Sequence, residues 1–189
     1  MIDMKNTHLL LATTVMLSIG SNWTTRALAM TQDDDGPAIT ARVHGTFQDA
    51  AGGGGVLSGD MSVVRFEVRD GKVVAIGAIT GALADSGGNI LGKVNQELAL
   101  PVLRVGSTCN QLRMELAAAD AEVLKTAVHF DQEVAGFDSR ENGMVPKALD
   151  ALCEVQELLR TGPPAADTLA DALNRLALRV ASGQAREYR

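Results

Sequence analysis

Aromatic side chains are nearly missing from this chain. Its 189 residues include four Phe, one Trp and one Tyr, or 3% aromatic in all. Trp23 lies in an N-terminal segment with export character and Tyr188 in a polar tail, which leaves Phe47, Phe66, Phe130 and Phe137. Proteins that hold sugars or unpaired bases by stacking need flat aromatic platforms, so the scarcity argues against both ligand classes. Positive charge is short as well: 17 Lys and Arg stand against 23 Asp and Glu, a formal net charge of −6. No Lys/Arg cluster relieves that balance, and an acidic surface repels phosphate backbones, so no nucleic-acid partner is expected. Cysteine numbers two and histidine three, so cysteine alone cannot furnish the four ligands of a structural zinc site. The sequence also lacks a Gly-x-Ser-x-Gly elbow, a His-Glu-x-x-His helix, a Walker loop and a calcium loop.

What is present begins at the N-terminus. Lys5 precedes an apolar run from Leu9 to Ile19, and Ala27-Leu28-Ala29 offers small residues at the two positions a signal peptidase reads. Residues 1–29 therefore read as a secretory signal peptide. The run falls short of the ~20 residues a helical span needs, and no cysteine near the cleavage point offers a lipid anchor. Asp3 offsets Lys5, so a start at Met4 is an alternative to Met1, and an uncleaved anchor is the alternative to cleavage. The expected location is secreted or periplasmic, with no stable membrane span after cleavage. Export decides how Cys109 and Cys153 are read. In an oxidising compartment two lone cysteines of one domain pair; two buried free thiols are the alternative.

The remainder divides by composition. Residues 30–38 form a flexible acidic leader, 39–181 a single disulfide-closed domain, and 182–189 a polar tail. Within the domain 39–138 reads as mostly β and 144–181 as helical. Ile39 to Phe47 alternates as a first strand. Asp49 to Gly59 reads as a loop, its Gly52-Gly53-Gly54-Gly55 a flexible connection, because no Lys or helix follows to make it a phosphate cradle. Val64, Phe66 and Val68 alternate with Arg65, Glu67 and Arg69, and Asp70-Gly71 supplies a two-residue hairpin turn. That turn pairs Val68 with Val73, Phe66 with Ala75, Glu67 with Val74 and Arg65 with Ile76. The return strand, Lys72 to Leu83, is apolar on both faces and so belongs inside the sheet or under a helix. Asp85-Ser86-Gly87-Gly88-Asn89 is turn chemistry. Leu98 to Val105 follows as a strand, with Pro101 marking an edge or bulge.

Gln111 to Phe137 reads two ways. Leu112, Met114 and Leu116 alternate with polar neighbours, as do Leu124, Thr126, Val128 and Phe130, which favours strands; Leu112, Leu116, Ala119, Val123 and Ala127 also fit one helical face. Strands are the preferred expectation. Pro146 suits a first helical turn, and Ala148, Leu152, Val155 and Leu159 recur at helical spacing up to Thr161-Gly162-Pro163-Pro164. Asp167 or Thr168 can cap a second helix carrying Leu169, Leu173, Leu176 and Val180, ended by Ser182-Gly183. The fold class is α+β: an antiparallel β-rich sheet or small barrel followed by a C-terminal helical hairpin. The disulfide would bolt the first helix to the strand that starts after Cys109.

Candidate chemistry is sparse. Ala84-Asp85-Ser86-Gly87-Gly88 resembles the segment around the nucleophile of chymotrypsin-like serine proteases, and His44 and Asp70 precede it in the same order. The match covers five residues, and Asp70 belongs to a hairpin turn remote from Ser86, so a hydrophilic loop is the expectation. His129-Phe130-Asp131 puts an imidazole and a carboxylate on one strand face, where Glu133 continues the face and His44 could add a third metal ligand. A solvated polar face is the simpler account. Glu115, Asp120 and Glu122 are scattered acids with no spacing that selects a glycosidase pair. The amphipathic C-terminal helices, with mixed charge at Lys147, Asp150, Glu154, Asp171 and Arg175, read as cover for a sheet.

Asp70-Gly71-Lys72-Val73-Val74-Ala75-Ile76-Gly77 with Thr80-Gly81, Cys109 before a Leu-x-Met-x-Leu strand, Val128-His129-Phe130-Asp131, and Leu152-Cys153 on a helix form a recognisable series. Over roughly 60–180 the chain resembles a loosely defined group of uncharacterised exported bacterial proteins, each with a β-rich domain, two cysteines and a C-terminal helical segment. It departs from that group where Gly143-Met144-Val145-Pro146-Lys147 replaces a Gly/Leu-rich lead into the last helix. The resemblance implies a two-cysteine link and a β-then-α order, and no chemistry. Three functions stand as expectations. The first is a secreted non-enzymatic structural or binding module for a protein, or a carrier of a small apolar ligand between sheet and helices. The second is a metal-dependent or hydrolytic enzyme using His129, Asp131 and His44. The third is an adhesive surface protein that self-associates. No cofactor is implied.

Overall fold

The computed structural model describes residues 38–140 and 146–183, all within one compact unit. The expected signal peptide 1–29, the leader to residue 37, positions 141–145 and most of the tail lie outside the described residues. Among the described residues eight strands precede two helices: β1 (Ile39–Gln48), β2 (Gly54–Arg69), β3 (Lys72–Ala84), β4 (Ile90–Thr108), β5 (Gln111–Leu116), β6 (Ala119–Val123), β7 (Thr126–Phe130), β8 (Glu133–Asp138), α1 (Pro146–Arg160) and α2 (Ala166–Gly183). The fold is α+β, as the patterning predicts.

Strand β1 closes the sheet on itself. Along one edge it pairs with β2 from Ile39↔Val63 to Gln48↔Gly54. Along the other it pairs with β8 at Thr40 and Ala41, and with β7 at Gly45 and Thr46. The ring β1-β2-β3-β4-β5-β8 is thus antiparallel throughout, and the β6–β7 hairpin extends it at one end. Every second residue of β1 points inward, Val43 among the most buried. Closure pairs residues 54–63 of β2 with β1, an edge that would otherwise template aggregation.

The hairpin register matches the expectation residue for residue, with Val68 opposite Val73 and Phe66 opposite Ala75. Asp70 and Gly71 take the positive φ angles, 52° and 72°, that let the turn follow the strand twist. One placement differs. The expected inward row included Val64, but a bulge between Val63 and Arg65 leaves Val64 unpaired and exposed. The bulge shifts the alternation by one residue, so Met61 and Val63 point inward before it and Phe66 and Val68 after it. On β3, Val73 and Ala75 enter the core while Val74 and Ile76 are buried on the outer side. There Arg65 stands beside Ile76 and reaches across to Glu97, so its stem roofs the strand.

The glycine run is less of a loop than expected. Strand β2 begins at Gly54, and Gly55 lies under the Phe47 ring, where an added Cβ would meet Cζ at 2.3 Å. Residues 111–137 resolve into strands, as preferred, but Leu124 is not in one. With Lys125 it forms the β6–β7 turn at φ 49° and 66°. Strand β4 extends well past the expected Leu98–Val105 at both ends. It pairs with β3 up to Pro101 and with β5 from Val102, and Leu103 is bulged between Val102 and Arg104. The second helix starts at Ala166, so neither Asp167 nor Thr168 caps it; Asp167 lies in its first turn, where a carboxylate favours the helix dipole. It also runs through Ser182 to Gly183, past the expected end at 181.

The helices pack together and onto the barrel end that carries the Asp70-Gly71 and Cys109-Asn110 turns. Leu152, Val155, Leu173, Leu176 and Val180 belong to the same apolar cluster as Phe66, Val73 and Leu100. Two devices hold them there. Cys109, in the β4–β5 turn, is disulfide-bonded to Cys153 of α1, with Cα atoms 4.3 Å apart. Beyond the bulge β2 has no β1 partner, and Asn174 of α2 takes that place: Phe66 N donates to its Oδ1 at 2.7 Å, and its Nδ2 donates to Phe66 O at 2.8 Å.

Two outcomes are expected. Asn174→Ala leaves both Phe66 backbone groups without these partners and should lower stability by about 2–3 kcal/mol in urea denaturation. Replacing both cysteines with Ser should cost roughly 4 kcal/mol, the chain entropy of a loop with a 44-residue separation. Far-UV circular dichroism should still report the barrel.

Candidate functional site

The side chains singled out in the sequence fall into three places. His44 projects from the outer face of β1. Between Phe130 and Glu133 the chain leaves the β1 ladder, and Asp131 N still donates to His44 O at 3.1 Å. Glu133 fills the gap: its Oε1 accepts from His44 N and is bonded to His44 Nδ1, both at 2.9 Å. Its carboxylate thus stands in for a missing strand carbonyl at the barrel seam. His129, on β7, pairs instead with its cross-strand neighbour Asp120 of β6, Nδ1 to Oδ1 at 2.7 Å.

The two histidines expected to share one metal therefore pair with separate carboxylates, Glu133 and Asp120, and Asp131, expected as a ligand beside them, belongs to neither pair. Among the described residues no group of three His, Cys, Asp or Glu is arranged to hold a metal ion. His44 is about half exposed, as is His129. Ser58 is the cross-strand neighbour of His44 on β2, which lines up a hydroxyl, an imidazole and the Glu133 carboxylate. The sequence reading missed this row, because the pairing of β1 with β2 cannot be seen without the register. Acyl transfer also needs amide donors aimed at an oxyanion. Here the strand bearing Ser58 is laddered on both edges, to β1 and β3, and the face is open.

Ser86 lies at the opposite end of the barrel from Asp70 and apart from His44. It belongs to a locked pair of loops. Ser86 N and Oγ both donate to Asp49 Oδ2, at 3.0 and 2.6 Å, and Ala51 N and Gly53 N donate to Asp49 Oδ1. These bonds, the Ser86 hydroxyl foremost, hold the Asp49 carboxyl down at about 2. Asp85 is lowered by Asn89 and by the amides of its own turn. A Cβ on Gly53 would strike Ser86 Oγ at 2.3 Å, so glycine is required where the loops touch. Both acids organise turns, and the Ser86 hydroxyl serves as a donor to Asp49 within that lock.

Of the scattered acids, Glu115 lies on β5 opposite Val134, while Asp120 and Glu122 share the exposed face of β6, Asp120 bonded to His129. Between the helices a groove of about 410 Å³ runs over Leu158 and Ala172 and is crossed by the Arg175–Glu154 ion pair. No described helix is long and apolar enough to cross a membrane. No family model, curated protein or solved structure matches the chain.

The loop lock has a defined acid limit. Between the ordinary carboxyl value of 3.8 and about 2 the unfolded chain binds more protons at Asp49 than the folded one, so stability rises with pH there. The contribution is complete above 3.8 and gone as pH falls through about 2. Thermal melts of wild type and Asp49→Asn should differ at neutral pH and converge in that window.

Proposed function

We propose that this chain is an exported, non-enzymatic module that binds a partner through its surface or serves as a rigid structural unit. The observation that carries this is the continuity of the core. Side chains of the barrel interior and of both helices form one apolar cluster, with Phe130, Met61, Ile79, Leu100, Met114 and Leu152 fully buried. That packing favours a filled scaffold over a carrier with a hollow centre. The Cys109–Cys153 disulfide fits an oxidising compartment outside the cytosol, in keeping with the export signal. On the outer wall Arg65 pairs with Glu97, His44 with Glu133 and His129 with Asp120, and Asp49 and Asp85 hold turn amides, roles that shape the wall.

Thermal melting with and without zinc or calcium tests this reading. The melting temperature should stay unchanged within about 1 °C for either ion, whereas a metal-dependent enzyme would be stabilised by its metal through mass action. A rise of several degrees that is lost in His44→Ala and His129→Ala would replace the proposal with the metalloenzyme reading.

A further inference from the structure

The barrel ring closes without the β6–β7 hairpin. Strand β1 meets β8 at Thr40 and Ala41, and β8 is laddered to β5, so the circuit β1-β2-β3-β4-β5-β8 is complete before β6 and β7 are added. The hairpin is laddered to that circuit at Gly45↔Phe130 and Thr46↔His129. Its two stems lie outside any strand, Ala117-Ala118 on one side and Asp131-Gln132 on the other. Each stem is tacked to the ring by a backbone bond: Ala117 N donates to Pro101 O at 2.8 Å, and Asp131 N to His44 O at 3.1 Å.

The far edge of the hairpin is not laddered. Residues 90–99 of β4 pair with β3 alone, and β6 pairs with β7 alone. Side chains cross the seam between β4 and β6 instead. A two-residue turn makes Val123↔Thr126 a hydrogen-bonded pair, so alternation aims the backbone groups of Asp120 and Glu122 away from β7. Gln96, opposite the core residue Ile79, donates its Nε2 to Glu122 O at 2.8 Å. Leu124 of the turn lies over Gly92, where an added Cβ would meet its Cδ1 at 2.7 Å. These contacts, with Val123, Val128 and Phe130 buried in the core, hold the hairpin down.

We propose that the β6–β7 hairpin is a flap that swings away from β4 about its two stems while the ring of the barrel stays closed. Opening uncovers β1 at Gly45 and Thr46 and the 90–99 edge of β4, so the closed flap shields strand edges that would template other chains. Lifted from the ring, a two-stranded hairpin is marginal in water. A turn that holds Leu124 and Lys125 at positive φ, a conformation bulky side chains rarely adopt, gives it no support. The hairpin amides therefore exchange with solvent in the open state. The flap is a motion of the monomer and does not depend on the binding reading above.

Native-state amide exchange, read by mass spectrometry at several urea concentrations below the unfolding transition, tests the flap. Peptides from residues 119–130 should exchange faster than peptides from β2 and β3, and with a weaker dependence on urea, because a local opening exposes less surface than unfolding. Gln96→Ala removes a bond of the closed state that both the open and the unfolded states lack. It should therefore speed exchange in 119–130 and in β2 and β3 alike, by about threefold to tenfold. Asn174→Ala removes bonds that the open state keeps, so it should speed β2 and β3 and leave 119–130 as it was. Ser107→Ala, which removes a hydroxyl bonded to Leu152 O at the same end of the barrel, decides the matter if Asn174→Ala fails to fold.

Equal rates and equal urea dependence in 119–130 and in β2 and β3 would overturn the proposal, since the hairpin would then open only with the whole fold. Exchange in 119–130 that rises with β2 and β3 in Asn174→Ala or Ser107→Ala would overturn it in the same way. Faster β2 and β3 in Gln96→Ala with 119–130 unchanged would also sink it, because the bond across the seam would then survive in the open state.

Discussion

The structure depends on β1 having partners along both edges. A chain with so few aromatic residues fills its interior with Leu, Val, Ile, Met and Ala, and these give a continuous core only if the sheet curls round them. The β1–β2 ladder is long and regular. The other seam is short, because β8 and β7 share it and the chain lifts away between them. Glu133 spans the lift by taking the His44 amide and imidazole together. A residue that looks like a metal ligand in the sequence is therefore part of the closure.

The helices follow from where β1 stops. Past Val63 the bulged half of β2 has no β1 neighbour, and β3 and β4 continue beyond the ring. Apolar residues there, Phe66 and Val73 among them, need a lid, and α1 and α2 provide it. Asn174 repairs the backbone edge, and Cys109–Cys153 fixes α1 to the β4–β5 turn. Among the described residues every buried side-chain nitrogen and oxygen has a hydrogen-bond partner, so closing this end leaves no orphaned polar side chain.

Much of this was legible from local pattern. Period-two alternation located β1, the β2–β3 hairpin and β5, and Asp70-Gly71 set the register, because each signal is carried by neighbours in sequence. Export logic supplied the disulfide. The misses have three physical sources. Val64, Leu91 and Leu103 sit at bulges, which insert one residue without marking it in composition. Leu124-Lys125 forms a turn from residues that favour none. The Ser58–His44–Glu133 row and the Asp49–Ser86 lock need strand order, which no spacing in the sequence encodes.

The two ends of the barrel are built on different terms. At the helix end exposed edges are capped, apolar side chains are covered and a covalent bond secures the cover. At the loop end the backbone is just as well ordered, since Asp49 and Asp85 bind the turn amides and glycine permits the close contact at Ser86. Yet that order does not reach the β6–β7 hairpin, whose turn keeps a conformation that Asn-Gly would adopt with less strain and whose free edge meets β4 through the Gln96 side chain. The ring is closed by β1 and β8 without it. A lid bolted by a disulfide stays shut until the fold unfolds, whereas a hairpin hung outside the ring is able to lift while the barrel stands.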